Sequence, residues 1–400
     1  MRGTPLTLCM SFCLLVGILP LATFAALLPG FTADWGLSNA EAGWISGIYY
    51  VGYVLAVPFI MSTTDRYDAR PVYIAGTALS ALATFAFAAF AAGFWSALFW
   101  RAVAGVGLAG TYMPGLKVLT DRSRNRDASR AVAVYTACYS FGTGLSFLLA
   151  GWVEALYGWR MAFVAAALGP AAAMLLAATL VRPEAPLPRP RRSSIVGDFR
   201  RAARSRAVIG YILAYSLHNF EALAMRSWVV SLLAFAAARA GTAASAWTPT
   251  EIATAATLVG VPGTVLGNEL ALRIGRTRAV TLIMLSSAAV AAGVGFAAKD
   301  SYALLVALVV LHGFAIPADA GALMAGTVET APAEVQGASL ALQASAGFGA
   351  SFVGPLVVGI VLDLAGGTES TAAWRAGFLT IAAFAALGPL ALRLAAAPQR

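Results

Sequence analysis

Twelve apolar stretches, each long enough to cross a bilayer, dominate this chain and leave it few ways to fold. The hydrocarbon core of a membrane requires about 20 apolar residues in a helix. Lipid offers no hydrogen-bond partner to an open backbone, so each stretch is expected to be helical. The predicted spans are 6–31, 41–61, 71–92, 94–118, 129–152, 160–181, 207–236, 249–272, 278–298, 301–325, 334–362 and 373–396.

One long polar interval, residues 182–206, separates the first six spans from the last six. It contains eight arginines and four prolines, and proline interrupts helices. We therefore predict an all-α membrane protein with twelve transmembrane helices in two pseudo-symmetric six-helix bundles. The N-terminal bundle covers 1–181, a basic cytoplasmic linker covers 182–206, and the C-terminal bundle covers 207–400.

The charge of the chain fits this topology. Only 11% of its residues are charged, whereas a soluble domain has roughly 25%. A net charge of +9 would suggest nucleic acid as a partner in a soluble protein, but cytoplasmic loops of membrane proteins are also rich in arginine and lysine. We therefore predict no nucleic-acid partner and expect the linker arginines to contact anionic lipid headgroups.

The distribution of basic residues sets the predicted orientation. If both termini are cytoplasmic, 21 of the 27 basic residues lie at the cytoplasmic ends of spans or in cytoplasmic segments. The six others are Arg101, Arg160, Arg226, Arg239, Lys299 and Arg375. We predict a multi-pass protein of a bacterial-type inner membrane with both termini in the cytoplasm.

The two halves repeat several local patterns. Residues 65–70, after the second span, are rich in charge, as are residues 273–278 after the eighth. The sixth and twelfth spans both begin with a tryptophan and an arginine, Trp159-Arg160 and Trp374-Arg375. Internal repetition of this kind is typical of transporters whose halves move about a site near the middle of the membrane.

Two motifs resemble those of the major facilitator superfamily. Asp65-Arg66 with Arg70 is similar to the core of the family's loop 2–3 motif, although Met61 and Asp68 stand where glycines are usual. Residues 101–107, an arginine followed by closely spaced glycines, resemble the family's helix 4 motif. The resemblance implies a twelve-helix carrier that works by alternating access, with helices 1, 4, 7 and 10 lining its cavity. Residues 65–70 and 110–115 also resemble the cyanate and nitrate/nitrite-type branch.

The seventh span contains an unusual set of polar residues. His218 and Glu221 are three residues apart and share one helix face, and Asn219 and Arg226 lie on a neighbouring stripe. An ionisable residue inside a membrane span is costly and therefore a candidate for function. We predict Glu221 as a proton carrier and Arg226, His218 and Asn219 as substrate ligands. The alternative for Glu221 is a permanent pair with an arginine that only holds helices together.

Other spans add fewer candidates. Arg101, in the fourth span, is expected to bind an anionic substrate or to tune a carboxylate during proton exchange, because its fork stays charged when desolvated. The alternative is a structural bond to backbone carbonyls. The tenth span contains His312 and Asp319, seven residues apart; we predict Asp319 as a second proton site and His312 as a substrate ligand. Thr23 and Tyr53 are further substrate candidates, with packing as the alternative for Tyr53.

Charged residues at the cytoplasmic ends of spans are expected to form a gate. The family resemblance implies that Asp65 and Arg70 latch the outward-facing state, and charge pairs of this kind break on opening. The predicted gate residues are Asp65, Arg66, Arg70, Arg273 and Arg276. Arg122 is interpreted differently, as a solvated charge that sets topology.

Motifs for ATP hydrolysis, serine hydrolysis and zinc proteolysis do not occur in the sequence. The predicted function is proton-coupled secondary active transport of a small polar, anionic solute by a monomer, without cofactor or metal and without enzymatic activity. One alternative is a proton-driven exporter of amphipathic compounds. Another is a sensor or scaffold that has a transporter fold and moves nothing.

Overall fold

The computed structural model describes residues 3–64, 66–122, 125–184, 195–241 and 246–396. For 125–130, 133, 195–196, 299–300 and 396, only the backbone is described. All regular structure in these residues is helical. The predicted gate residue Asp65 and most of the predicted linker lie outside the described residues.

The helices of the N-terminal half form six spans. They are α1 (Thr4–Gly17, Thr23–Ala26 and Leu28–Trp35), α2 (Asn39–Thr64), α3 (Ala69–Phe90), α4 (Phe94–Ala109 and Tyr112–Arg122), α5 (Asn125–Tyr157) and α6 (Trp159–Leu180). A short helix, Ile195–Arg204, follows and is called the linker helix below.

Six further spans follow the linker helix. They are α7 (Arg206–Ala240), α8 (Pro249–Leu258 and Gly260–Ile274), α9 (Arg276–Asp300), α10 (Tyr302–Ala315, Ile316–Ala318 and Ala320–Thr330), α11 (Ala333–Val335 and Gln336–Leu364) and α12 (Thr371–Ala386 and Gly388–Ala396). Ten of the spans are long and apolar enough, over the described residues, to cross a membrane. With the broken α1 and with α5 they make twelve, which confirms the predicted fold.

The first span is interrupted, although the sequence predicts one helix over 6–31. Pro20 has no N–H group, and the helix stops at Gly17 and resumes at Thr23. The Ser146 hydroxyl bonds the carbonyl of Leu19 and accepts from the N–H of Ala22 at 3.1 Å. Arg101 donates to the carbonyl of Pro20 at 3.3 Å. Side chains of α4 and α5 therefore replace the lost helical hydrogen bonds, which lipid could not do.

The chain divides into two compact units. Unit 1 contains Met1–Leu37 and Trp44–Arg189, and unit 2 contains Ser38–Gly43 and Pro190–Arg400. Ser38–Gly43 belongs to unit 2 because Asp363 of α11 accepts bonds from the backbone N–H groups of Asn39 and Ala40, at 3.0 and 2.8 Å. These are two of the N–H groups that a helix start leaves without a partner. The boundaries predicted around 182–206 stay a prediction.

Close packing in unit 1 depends on a glycine of the helix 4 motif. A Cβ on Gly105 would overlap the carbonyl oxygen of Tyr49, so α2 can approach α4 only because this residue is glycine. The same approach brings the Tyr49 ring under the guanidinium of Arg101, 4.4 Å from the ring centre. Elsewhere in unit 1, Phe87 and Phe163 stack at 4.1 Å and join α3 to α6.

Unit 2 is built around α7. This span packs against α11 and α12, and 78% of its apolar window is buried inside the protein, the largest share among the described candidate spans. Phe220 stacks on Phe384 of α12 at 4.0 Å, and the Trp228 indole N–H donates to the carbonyl of Pro355 of α11 at 3.0 Å. The polar residues of α7 therefore lie in a protein environment and not against lipid.

Candidate functional site

Four ionisable side chains lie buried in unit 2 as two acid–histidine pairs between α7 and α10. His218 and Glu221 come from α7, His312 and Asp319 from α10, and each is at most 7% exposed. The short 3₁₀ turn Ile316–Ala318, which contains Pro317, interrupts α10 between its two polar residues. Each histidine pairs with the acid of the other helix.

Glu221 is the more completely bonded of the two acids. Its Oε1 accepts from the Ser287 hydroxyl of α9 at 2.6 Å and lies 2.8 Å from His312 Nε2. Among the described residues nothing bonds Oε2. His312 Nδ1 is buried and has no partner in the described part of the chain. Among the described residues, His312 therefore bonds through Nε2 alone.

The second pair has a different geometry. His218 Nδ1 lies 2.7 Å from Asp319 Oδ1, but the two groups are not aligned as a hydrogen bond. The imidazole ring stacks on the Tyr215 ring, with ring centres 5.8 Å apart and planes 22° apart. His218 is also within electrostatic reach of Glu221 and Arg226. The two pairs are thus close enough for the charge of one to influence the other.

The pairing excludes one prediction for Glu221. The alternative was a permanent pair with an arginine, but the described residues that bond the carboxylate are a serine and a histidine. Histidine changes its charge near neutral pH, whereas arginine does not. A carboxyl held by histidine can therefore gain or lose a proton together with its partner.

The other candidates of α7 have separate environments. The Asn219 amide donates to the carbonyl of Tyr215 at 2.9 Å, and the Ser351 hydroxyl of α11 lies 3.5 Å from its oxygen. Arg226 is partly exposed and has no acidic partner among the described residues. Arg226 is thus a membrane-embedded cation without a carboxylate in the described chain.

In unit 1, Arg101 is buried without a carboxylate among the described residues. It is 5% exposed, lies over the rings of Tyr49 and Phe24 at 4.4 and 5.8 Å, and donates one bond, to Pro20. Its Nε has no partner in the described chain. Aromatic faces attract a cation but do not neutralise it. Arg101 therefore retains donor capacity.

Thr23 and Tyr53, predicted as substrate ligands, are both buried in unit 1. The Thr23 hydroxyl bonds the carbonyl of Leu19 at 2.9 Å, which is a bond within the interrupted first span. Neither position is tested as a ligand, so both stay predictions.

Three of the predicted gate residues, Arg70, Arg273 and Arg276, have side-chain contacts within their own units. Arg70 donates to the carbonyls of Ala177 and Ala178, at 3.3 and 2.5 Å, in the last turn of α6, where a helix leaves carbonyls free. Arg66 is exposed. Arg273 pairs with Glu269 and Arg276 with Glu329, at 2.8 and 2.7 Å. The gate stays a prediction.

Arg122 is not the solvated charge that the sequence interpretation proposed. Its side chain is 3% exposed and pairs with Asp68 at 2.7 Å and with Glu184 at 3.4 Å. Asp68 also accepts from the backbone N–H of Arg70 at 3.1 Å and of Glu184 at 3.0 Å. The interpretation was wrong because the start of α3 and the segment after α6 bring two acids to the end of α4. We call Asp68, Arg122 and Glu184 the clasp.

Two groups of functional interest escaped the sequence analysis. Ser287 is one of many small residues in an apolar span, and no local signal marks it as a partner of Glu221. Asp68 and Glu184 are charged, but they are 116 residues apart in the chain, and no local pattern indicates that they meet. Among the described residues no three histidine, cysteine, aspartate or glutamate side chains are arranged to hold a metal ion.

Solved structures of transporters share the fold. A crystal structure of a bacterial homolog of the human lysosomal transporter Spinster, inward-facing and occupied, matches with a TM-score of 0.79 at 16% identity, covering 98% of this chain and 96% of that chain. A crystal structure of a mutant of the nucleoside transporter NupG gives 0.80 at 16% identity, covering 98% and 99%. At these identities the match concerns the fold alone.

The sequence comparisons give the family. The comparison with curated proteins finds no match. The profile described as the Major Facilitator Superfamily matches residues 10–251, which is more than half of the chain and includes both motifs of the N-terminal half. The chain therefore belongs to the Major Facilitator Superfamily.

Proposed function

We propose that this chain is a proton-coupled secondary active transporter of a small anionic solute, located in a bacterial-type inner membrane. The observation that carries the proposal is the pair of buried acid–histidine contacts in unit 2, Glu221 with His312 and Asp319 with His218.

The acid–histidine pairs suit proton coupling because their charge can change. A carboxylate beside a neutral histidine is a buried negative charge, which is costly inside a membrane. A proton taken up by either partner removes that cost, since the result is a neutral acid or an ion pair. Loading and release of one proton therefore change the stability of the buried pair, and that difference can be used to drive a conformational step.

Glu221 is the better proton carrier of the two acids. The bonds from Ser287 and His312 converge on Oε1, so a proton can be added at Oε2 without displacing either donor. Asp319 lies 2.7 Å from His218 on one oxygen and has no other donor side chain near it among the described residues. We assign Asp319 and its histidine to a secondary role, in which they set the electrostatic field around Glu221.

The anionic substrate is proposed from the two embedded arginines. Arg101 and Arg226 have no acidic partner among the described residues, whereas the acids of unit 2 already face histidines. A guanidinium presents a planar set of donors that matches carboxylates and similar oxyanions. The arginines thus favour an anion over a neutral or cationic solute.

Purified protein reconstituted in liposomes tests the proposal. An inward-directed proton gradient should drive accumulation of small anions, and the lumen should acidify as the solute enters. Exchange of protons for amphipathic compounds would favour the exporter instead. If no solute moves under any gradient while ligands still bind, the sensor is the better description.

Arg226→Ala is expected to weaken the binding of anionic substrates about tenfold or more, because a hydrogen bond to a charged group contributes roughly 1.5–3 kcal/mol. Affinity for neutral analogues should not change. Binding is measured by ligand-induced thermal stabilisation or by uptake at varied substrate concentration. Arg239→Ala is the matched control, since Arg239 is an exposed arginine at the end of the same helix. Equal losses for anions and neutral analogues would remove Arg226 from substrate recognition.

A further inference from the structure

The linker helix presents a continuous basic surface. Its exposed residues include Arg200, Arg201 and Arg204, and the acid of the helix, Asp198, is buried and pairs with Arg201. Within the described chain, Arg200 and Arg204 have no acidic partner. We call the three exposed arginines the basic face. Its charge is thus largely uncompensated.

The opposite side of the linker helix is fixed to the protein. Ala202 is completely buried, and the helix packs against the beginning of α11, including the short turn Ala333–Val335, and against α7. The linker helix is thus held in one orientation, with the arginines on the outside. A flexible basic segment would not keep them on one side.

The linker helix lies directly before a membrane span in the chain. Only Ser205 separates it from α7, and the Ser205 hydroxyl accepts from Val208 N–H at 3.4 Å as the cap of that span. One residue reaches at most about 3.6 Å, and the headgroup layer extends roughly 5–7 Å beyond the hydrocarbon on each side. With the first turn of α7 at the edge of the hydrocarbon, the arginines nearest α7 lie at headgroup depth.

We propose that the basic face of the linker helix binds the headgroups of anionic lipids. Clustered arginines directly beside a membrane span favour such lipids, by about fivefold in affinity for each arginine near the surface. Lipid binding would hold the linker helix against the bilayer, and with it the beginnings of α7 and α11. The proposal is independent of proton coupling and of the transported solute.

A fluorophore at position 203 reports on this contact. Ala203 is exposed on the linker helix, so Ala203→Cys is labelled in a variant whose native Cys9, Cys13 and Cys138 are replaced. The purified protein is reconstituted in two kinds of vesicle, both of which contain a lipid with a quencher on its headgroup. One kind consists of phosphatidylglycerol and phosphatidylcholine, and the other of phosphatidylcholine alone. Quenching should be stronger with phosphatidylglycerol and should fall in 1 M salt, where the screening length shrinks to about 3 Å.

The variant Arg200→Gln/Arg201→Gln/Arg204→Gln should reduce the preference for phosphatidylglycerol at least about tenfold. The corresponding triple lysine variant should retain it, because the charge is preserved. Arg273→Gln is the control, since Arg273 is exposed at the end of α8 and outside the linker helix. Equal quenching in both vesicles, or no effect of the triple glutamine variant, would overturn the proposal. A change in fluorescence at position 203 that appears only when membrane proteins are added, and not with phosphatidylglycerol, would assign the basic face to an acidic protein instead.

Discussion

Glu221→Gln is expected to abolish proton-driven accumulation of the solute, so that the internal and external concentrations become equal. Glutamine has the same shape but cannot take up a proton. Its amide oxygen can still accept the bonds that Ser287 and His312 make to Oε1 at 2.6 and 2.8 Å. The buried site therefore stays filled and bonded, and only its titration is lost.

Solute exchange should survive the same substitution. Counterflow requires binding and conformational exchange but no net proton movement, so a variant that is locked in the neutral form should still exchange labelled for unlabelled solute. The measurement compares uptake driven by a pH gradient with counterflow in the same proteoliposomes. Glu154→Gln is the matched control, because Glu154 is an exposed glutamate of α5, and it should leave both activities unchanged.

Two outcomes would contradict this assignment. Concentrative uptake by Glu221→Gln would mean that another group carries the proton, and Asp319 would be the next candidate. Loss of counterflow together with uptake would mean that the carboxyl is needed for binding or folding. Ser287→Ala separates these cases further, since it removes one donor at 2.6 Å and leaves the titratable carboxyl in place. It should therefore preserve accumulation.

The fold could be predicted from the sequence because hydropathy is a local property that accumulates over about 20 residues. The interruption of α1 could not be predicted. Its lost backbone bonds are replaced by Ser146 and Arg101, which are distant in sequence, and nothing near Pro20 shows that they are present. Proline is also tolerated inside membrane helices where neighbours satisfy the backbone.

The candidate site could be predicted residue by residue but not as an arrangement. Buried charge is rare in a membrane, so Glu221, Asp319 and the two histidines stand out in the sequence. Helix periodicity places His218 and Glu221 on one face. Each acid pairs with the histidine of the other helix. That pairing depends on the distance between α7 and α10, which the sequence of one helix does not determine. For the same reason Ser287 could not be recognised as a hydrogen-bond donor to the carboxylate of Glu221.

The clasp of unit 1 gives the prediction with the largest expected effect on stability. Asp68→Ala leaves Arg122, whose side chain is 3% exposed, with Glu184 as its remaining acid at 3.4 Å. Removal of one partner of a buried ion pair costs roughly 3–5 kcal/mol. We expect about 3 kcal/mol here, the lower end, because Glu184 remains and the Asp68 side chain is 18% exposed.

The loss of stability should be visible as a fall in the thermal unfolding midpoint of roughly 5 °C or more in detergent. Asp68→Gly, which restores the residue that the family usually has at this position, should be destabilising as well. Glu269→Ala is the matched control, because its pair with Arg273 is exposed, 49% and 73% for the two side chains. An exposed pair contributes at most about 1 kcal/mol, so this variant should unfold close to the parent.

A double substitution distinguishes the ion pair from the other roles of Asp68. The carboxylate also accepts from the N–H groups of Arg70 and Glu184, and the loss of these bonds does not depend on Arg122. If the buried pair dominates, Asp68→Ala/Arg122→Ala should be more stable than Asp68→Ala, because the uncompensated cation is gone. Additive losses would show instead that Asp68 acts through the backbone, as the cap of α3 and the anchor of the segment after α6. In that case the clasp would hold the beginning of the linker without any contribution from the charge of Arg122.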